Sequence, residues 1–191
     1  MRRLAAFLVP LLLAVLVASA GNARPAAAAP GPAVPAAGAP NPVIFVHGRN
    51  ADPGVWSGMI DSFRAGGYPA DRLFAWGYDS SQSTDEVLSA RLAAYVDGVL
   101  QRTGAARVDL VAHSLGSLPT RWYVKFGGGA AKVGHWVSLA GPNHGTTVAW
   151  LCALRDQGCR DMTPGSYVLS RLNRGSSQGT CKRGHDVILK P

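Results

Sequence analysis

The chain of 191 residues is poor in charge and in cysteine. Charged residues make up 16% of it, whereas soluble domains average about 25%. Its 3 Cys are too few for a miniprotein built on disulfides. The sequence also has no Cys-x-x-Cys pair, the motif that would predict a structural zinc site. The 23 Gly show no three-residue period, which excludes a collagen-like chain. Apolar residues recur periodically after residue 42, so we expect a folded domain and exclude a highly charged disordered chain.

The formal net charge of +8 does not indicate a nucleic-acid-binding protein. Arg2 and Arg3 belong to a leader described below; without these two, the 19 basic residues become 17 against 11 acidic ones, a net charge of +6. The remaining Lys and Arg are dispersed, without the basic stripe and interleaved aromatics that bind nucleic acid. We therefore expect no nucleic-acid partner.

Residues 1–20 are typical of an export signal. The two arginines form a positive start, residues 4–17 form an apolar run, and residues 18–20 (Ala-Ser-Ala) offer a cleavage site. The apolar run is too short to span a bilayer comfortably, and no stop-transfer charges follow it. We expect a secreted protein that is cleaved before Gly21 and has no stable membrane insertion after cleavage.

Residues 21–41 consist almost entirely of Ala, Pro and Gly. Repeated Pro keeps such a chain extended, and its small side chains cannot build a core, so a disordered linker is predicted. The folded domain is expected to span residues 42–191.

An oxidising compartment makes the cysteines candidates for a disulfide. Cys152 and Cys159 lie seven positions apart, within reach of each other if the chain turns near Gly158. We predict a bridge between them and leave Cys181 unpaired. Two buried thiols are the alternative interpretation.

Strand and helix patterns alternate along the folded part, which predicts an α/β fold with parallel strands joined by helical crossovers. The predicted strands are residues 42–48, 73–76, 107–112, 133–140 and 187–189. The predicted helices are residues 53–65, 83–103, 115–126, 146–154 and 166–172. Asp52 is the expected N-cap of the first helix, and Ser83 with Glu86 forms the expected capping box of the second.

The pentapeptide Ala112-His113-Ser114-Leu115-Gly116 lies between a predicted buried strand and a helix. This is the context of a nucleophile elbow, whose tight turn raises the serine hydroxyl above the sheet edge. The turn requires small residues two positions before and after the serine, and Ala112 and Gly116 meet that requirement. Ser114 is the candidate nucleophile, and the Leu115 N–H at the helix N-terminus is a candidate oxyanion donor. An ordinary serine at a strand-to-helix turn is the alternative.

The sequence Val46-His47-Gly48-Arg49 follows the first predicted strand. In α/β-hydrolases this loop passes beside the nucleophile and supplies the second oxyanion amide, which here is the Arg49 N–H. We expect His47 to be a buried residue that shapes the loop, because the histidine comes last in this triad order.

Four segments resemble, in order, the exported actinobacterial triacylglycerol lipases of the lipase class 2 family. They are residues 42–48 (PVIFVHG), 108–116 (VDLVAHSLG), 139–146 (LAGPNHGT) and 159–162 (CRDM). The resemblance covers residues 42–172. It implies a minimal α/β-hydrolase fold, with a mostly parallel sheet flanked by helices. The fold is expected to be lidless, because the sequence has no long insertion between the elbow and the later strands. The resemblance further implies hydrolysis of acylglycerol esters by a Ser-Asp-His triad without cofactor or metal.

The resemblance weakens after Asn173. Family members continue with a Gly-Thr-Trp-Trp-like segment that leads to the catalytic acid, and counting from Gly179 places Asp186 at that position. The aromatic pair is absent, and the family's histidine follows a further strand, so we expect a truncated or altered C-terminus. His185 paired with Asp161 would also keep the triad order and is the alternative.

The sequence therefore predicts a secreted serine hydrolase that cleaves carboxylic esters, acylglycerols above all, through an acyl-enzyme on Ser114. One alternative keeps the chemistry but changes the substrate to short soluble esters or polyesters. Another is a catalytically inactive lipase homologue that binds lipid or ester, or a nonfunctional fragment. The expected partner is an ester or a lipid.

Overall fold

A parallel sheet organises residues 38–175, the part of the chain that this computed structural model describes. Its four strands are β1 (Val43–Val46), β2 (Leu73–Trp76), β3 (Val108–His113) and β4 (Val133–Leu139), in the order β2-β1-β3-β4. Every neighbouring pair is parallel, and β1 pairs with both β2 and β3. The predicted α/β class is confirmed, while the predicted strand at residues 187–189 lies outside the described residues.

Helices connect and cover these strands. They are α1 (Ser57–Ala65), α2 (Ser89–Thr103), α3 (Ser117–Phe126), α4 (Gln157–Met162) and α5 (Tyr167–Asn173). Shorter 3-10 turns lie at Pro53–Trp56, Ala70–Arg72, Ser114–Gly116, Gly129–Ala131 and Thr147–Leu151, and a π-helical turn lies at Thr84–Leu88. The helix predicted at residues 146–154 is thus reduced to a 3-10 turn, and α4 was not predicted.

The two faces of the sheet bury alternate residues of the same strand, as the two-residue period of a strand requires. Ile44 and Val46 of β1 pack in one cluster with Leu92 of α2, whereas Val43 and Phe45 pack in another with Trp56. Both faces are therefore apolar and covered, which explains why β1 is a continuous hydrophobic run in the sequence.

The start of α2 is capped differently from the prediction. The helical segment does begin after Ser83, but the Ser83 hydroxyl is buried with no hydrogen-bond partner among the described residues. The Thr84 N–H donates instead to Asp161 Oδ2 at 2.8 Å. The predicted capping box of Ser83 and Glu86 is therefore wrong, because the carboxylate of Asp161, 77 positions further along the chain, caps the segment instead.

The N-cap predicted for the first helical segment is confirmed. Asp52 precedes the 3-10 turn that leads into α1, and its Oδ1 accepts the Gly54 N–H at 2.7 Å. Pro53 occupies the first position of that turn, where no N–H is needed.

Candidate active site

Ser114 sits on a sharp turn between β3 and α3, in the strand-turn-helix order of a nucleophile elbow. Its φ is +50°, a left-handed conformation that residues other than glycine rarely adopt. The side chain is half-buried, while its neighbours Leu115 and Gly116 are buried. Backbone strain of this kind concentrates at functional sites, which makes the serine the natural centre of a site.

Close packing against β1 explains why the elbow needs small residues. A Cβ on Gly116 would lie 2.5 Å from the His47 carbonyl oxygen and 2.8 Å from that of Val46. Ala112 is fully buried in the centre of the sheet, paired with Val46 on one side and with Ser138 on the other. The steric requirement inferred from the sequence is thus present in the structure.

Gly48 brings the loop after β1 directly against the serine. A Cβ on Gly48 would lie 3.0 Å from Ser114 Cβ and 3.0 Å from His113 Nδ1. Arg49 is the next residue of this loop, and Leu115 is the next residue of the elbow. That the N–H groups of Arg49 and Leu115 form the oxyanion hole stays a prediction.

His47 shapes this loop from the interior. It is fully buried, and its Nδ1 lies 2.8 Å from the Gly48 carbonyl oxygen. The imidazole stacks on the Tyr78 ring with the ring centroids 4.1 Å apart, and the Tyr78 hydroxyl donates to the His47 carbonyl oxygen at 2.5 Å. Burial raises the pKa of Tyr78 far above its ordinary value, so this hydroxyl keeps its proton. The expectation of a buried, loop-shaping His47 is confirmed.

The Arg49 side chain is held by Asp156, a residue that the sequence did not single out. Arg49 Nε and Nη2 lie 2.9 Å and 2.8 Å from Asp156 Oδ2. The other oxygen of this buried carboxylate accepts the Cys159 N–H at 2.9 Å and caps α4. One carboxylate therefore joins the loop after β1 to the start of α4. An Asp before a helical segment is an N-cap signal in the sequence, but it carries no information about a partner 107 positions away.

A disulfide joins Cys152 and Cys159, with their Cα atoms 5.7 Å apart, as the sequence predicted. It links the segment after β4 to α4. Helix α4 in turn packs on the elbow, because a Cβ on Gly158 would lie 3.0 Å from Leu115 Cδ2. Cys181, predicted to be unpaired, lies outside the described residues.

The loop after β4 packs against the first turn of α3. The Ser138 hydroxyl donates to Ser117 Oγ at 2.9 Å, and Asn143 Nδ2 donates to Ser138 Oγ at 3.2 Å. A Cβ on Gly141 would lie 2.2 Å from Ser138 Oγ, so only glycine fits there. The GPNHGT motif therefore helps to hold the helix that follows the elbow.

The remaining candidates for a triad are placed only in part. Asp186 and His185 lie outside the described residues. Asp161, the alternative acid, is buried; its Oδ2 accepts the Thr84 N–H and its Oδ1 accepts Gln157 Nε2, both at 2.8 Å.

Three further histidines lie on the surface. His113 is the last residue of β3, beside the elbow, and His144 lies on the loop after β4. His135 on β4 has its Nδ1 3.0 Å from Asp109 Oδ1. Within residues 38–175, no hydrogen bond joins these side chains to the Ser114 hydroxyl.

The described residues hold neither a metal-binding cluster nor a membrane-spanning helix. No group of three or more His, Cys, Asp or Glu side chains in residues 38–175 is arranged to hold a metal ion. In the same part of the chain, no helix has the length and apolar character needed to cross a membrane.

Comparison with known proteins extends these observations to a family. The family model described as lipase (class 2) matches residues 40–182. The mature form of Bacillus licheniformis lipase BlEst2 superposes with a TM-score of 0.61 and 21% identity, over 70% of this chain and 58% of that one. Its propeptide form gives a TM-score of 0.60 and 21% identity, over 67% of this chain and 31% of that one. Aspergillus fumigatus lipase B gives 0.57 and 18% identity, over 71% of this chain and 34% of its own length.

These lipases share their fold with this chain. The match covers between 31% and 58% of the length of each lipase. The residues that the family model matches include the elbow, the loop after β1 and the loop after β4. Because this family model matches most of the chain, residues 40–182, the chain belongs to the lipase (class 2) family, with the α/β-hydrolase fold.

Proposed function

We propose that this chain is a secreted serine hydrolase that cleaves carboxylic esters, acylglycerols above all, through an acyl-enzyme on Ser114. The observation that carries the proposal is the elbow itself: Ser114 at φ +50°, with the loop at Gly48 packed against it. Membership of the lipase (class 2) family supports the choice of ester bonds as the target.

The proposed chemistry begins with attack of Ser114 Oγ on the ester carbonyl carbon. The negative charge that develops on the carbonyl oxygen is held by the N–H groups of Arg49 and Leu115. Loss of one such donor costs about 2.7–4 kcal/mol of transition-state stabilisation in a known serine hydrolase. The alcohol then leaves, and water releases the carboxylic acid from the acyl-enzyme.

The serine proton requires a base, since an unassisted hydroxyl is a poor nucleophile at neutral pH. We propose Asp186 as the acid that orients the base and leave the histidine that serves as this base unassigned. In the alternative arrangement within this sequence His185 is the base, accepts the serine proton and is oriented by Asp161. Both arrangements place the acid after the nucleophile in the chain, as the order of α/β-hydrolases requires.

A fluorophosphonate probe and a soluble ester, p-nitrophenyl butyrate, test the proposal together. We expect the probe to label the wild-type protein, and Ser114→Ala to abolish both labelling and ester hydrolysis without changing the circular dichroism spectrum. Removal of a serine nucleophile lowers kcat on the order of 10⁶-fold. Ser62→Ala is the matched control, because Ser62 lies exposed on α1 and donates only to the Gly58 carbonyl oxygen.

Labelling that persists in Ser114→Ala would place the chemistry at another residue. A folded wild-type protein that the probe leaves unlabelled would favour the catalytically inactive ester-binding homologue. Turnover of tributyrin compared with p-nitrophenyl acetate then separates an acylglycerol hydrolase from an esterase for short soluble substrates.

A further inference from the structure

Two residues of the loop that follows β2 bind the backbone of the loop that follows β1. We call Tyr78 and Ser80, which lie two positions apart on residues 77–82, the clamp residues. The Tyr78 hydroxyl donates to the His47 carbonyl oxygen at 2.5 Å, and Ser80 Oγ accepts the Asn50 N–H at 2.9 Å. The two hydrogen bonds therefore lie on either side of the two residues that separate His47 from Asn50.

The peptide group between Gly48 and Arg49 is held in one orientation. His47 Nδ1 lies 2.8 Å from the Gly48 carbonyl oxygen, and since a carbonyl oxygen only accepts hydrogen bonds, Nδ1 carries the proton. No cis peptide bond occurs within residues 38–175, so the carbonyl and the N–H of this peptide group point in opposite directions. The Gly48 carbonyl points at the buried imidazole, and the Arg49 N–H therefore points away from it.

Tyr78 also fixes the imidazole that holds this peptide group. The two rings stack with their planes 17° apart, and the second ring nitrogen, His47 Nε2, is buried with no hydrogen-bond partner in the described part of the chain. Tyr78 stacks in turn on Trp76, a buried residue of β2, with the ring centroids 4.5 Å apart. The core of the sheet therefore fixes the Tyr78 ring, and through it the His47 ring.

Ser80 holds the other end of the same loop. Asn50 has a φ of +53°, a left-handed conformation that the surrounding structure must stabilise, and its N–H reaches the Ser80 hydroxyl. Ser80 is 7% exposed, and α4 packs on it, because a Cβ on Gly158 would lie 2.4 Å from the Ser80 carbonyl oxygen. Packing thus fixes Ser80 before any substrate binds.

We propose that Tyr78 and Ser80 are positioning residues that hold the Arg49 N–H in place for the developing oxyanion. The peptide group before Arg49 is held through the imidazole on which Tyr78 stacks, and the peptide group after it through the Asn50 N–H. Asp156 binds the Arg49 side chain, so the clamp residues add a separate constraint on the backbone. A donor of this kind stabilises charge because its position is fixed before the reaction. The role in catalysis rests on the proposed function, whereas the fixed orientation of the loop does not.

Tyr78→Phe and Ser80→Ala remove the two hydroxyls and keep most of the packing around them. For p-nitrophenyl butyrate we expect kcat to fall about tenfold in Tyr78→Phe and about fivefold in Ser80→Ala. KM should change by less than about twofold, because the lost constraint acts on the transition state. The inhibition constant of hexyl trifluoromethyl ketone, which binds as a tetrahedral adduct of the serine nucleophile, should rise by the same factors. Thermal melting checks that each variant is folded at the assay temperature.

Tyr95→Phe and Ser81→Ala are the matched controls. The Tyr95 hydroxyl, on α2, donates to the Ala75 carbonyl oxygen at 3.5 Å. Ser81 is the next residue of the same loop, is exposed, and donates its hydroxyl to Asp79 Oδ1 at 2.7 Å. Both hydroxyls bind partners outside the loop that follows β1, so both controls should keep the wild-type kcat and inhibition constant.

Amide NMR spectra of the same variants test the clamp residues without any catalysis. The Arg49 cross-peak should shift by more than its linewidth in Tyr78→Phe and in Ser80→Ala, and it should stay in place in both controls. An Arg49 cross-peak that neither clamp variant moves would overturn the proposal. Equal losses of kcat in clamp variants and controls, or a rise in KM with kcat unchanged, would also overturn it.

Failure of the proposed function gives a different result. A wild-type protein that hydrolyses no ester and binds no trifluoromethyl ketone, but whose Arg49 cross-peak responds to both clamp variants, would overturn the hydrolase proposal and the catalytic role of the clamp residues. It would still establish that these residues fix the orientation of the loop. The kinetic and the NMR measurements therefore separate the two proposals.

Discussion

The conformation of Ser114 depends on the residues that surround it. A left-handed backbone at a non-glycine residue costs about 1–3 kcal/mol, and tertiary packing must supply that energy. Gly116 lies against the carbonyl oxygens at the end of β1, and Gly48 lies against the serine Cβ. The absence of side chains at these two glycines lets the loop and the elbow approach each other.

Gly48→Ala tests the importance of this approach. The added Cβ would lie 3.0 Å from both Ser114 Cβ and His113 Nδ1, so the loop must move by a few tenths of an ångström. We expect kcat/KM for p-nitrophenyl butyrate to fall about 10- to 100-fold, because small misplacements of catalytic groups carry large rate penalties. Steady-state kinetics measures this, and a wild-type rate would show that the loop does not contribute to the reaction.

Gly58→Ala is the control for that substitution. Nothing lies within 4 Å of a Cβ at Gly58, which is within α1. Alanine in a helix is favoured over glycine by about 0.5–1 kcal/mol, so this variant should melt at the same or a higher temperature and keep full activity.

Helix α4 owes its existence to contacts outside itself. It spans six residues, far fewer than an isolated helix needs to be stable in water. The Asp156 carboxylate caps it, the disulfide anchors Cys159, and Cys159 and Met162 are buried in the cluster around Leu115. The same carboxylate binds Arg49, so the helix and the loop after β1 are held as one unit.

Asp156→Asn separates the two roles of this residue. Asparagine is as good an N-cap as aspartate, so α4 and the melting temperature should be kept. The charge that binds Arg49 is lost, and we expect kcat for p-nitrophenyl butyrate to fall about tenfold with little change in KM. Asp61→Asn is the control, because Asp61 forms an exposed pair with Arg64 on α1. Equal losses of kcat in both variants, or none in either, would contradict a positioning role for Asp156.

At the scale of the whole molecule, buried tyrosines link stability to alkaline pH. Burial raises the pKa of Tyr123 to about 12, with a further contribution from the negative charge of Asp97. A pKa that is higher in the folded state than in the unfolded one means that folding favours the protonated hydroxyl. The resulting stability is fully present below about pH 10 and is lost as the pH rises towards about 12.

Urea unfolding measures this loss. Between pH 10 and pH 12 the free energy of unfolding should fall with a slope approaching about 1.4 kcal/mol per pH unit for each such tyrosine. Tyr123→Phe should flatten the fall, whereas Tyr167→Phe, at an exposed position of α5, should leave it unchanged. An identical alkaline profile for wild type and Tyr123→Phe would contradict the assignment.

Local steric rules made part of the fold and of the site readable in the sequence. The apolar run of β1, the Asp52 cap and the small residues around Ser114 depend on neighbours within a few positions. The disulfide was predictable because its cysteines are seven positions apart. Predictions for Asp186, for His185 and for the oxyanion donors remain predictions.

Tertiary structure alone decided which distant groups complete these local features. The cap of the helical segment after Ser83 comes from Asp161, and the partner of Arg49 is Asp156. These contacts span 77 and 107 positions, and each forms only once the strand order β2-β1-β3-β4 has brought the ends of the strands and their loops together. Local propensity determines where a strand or a turn begins. A buried carboxylate instead binds whichever donor the assembled fold places beside it, because an unpaired carboxylate in the interior costs more free energy than a local conformational preference supplies.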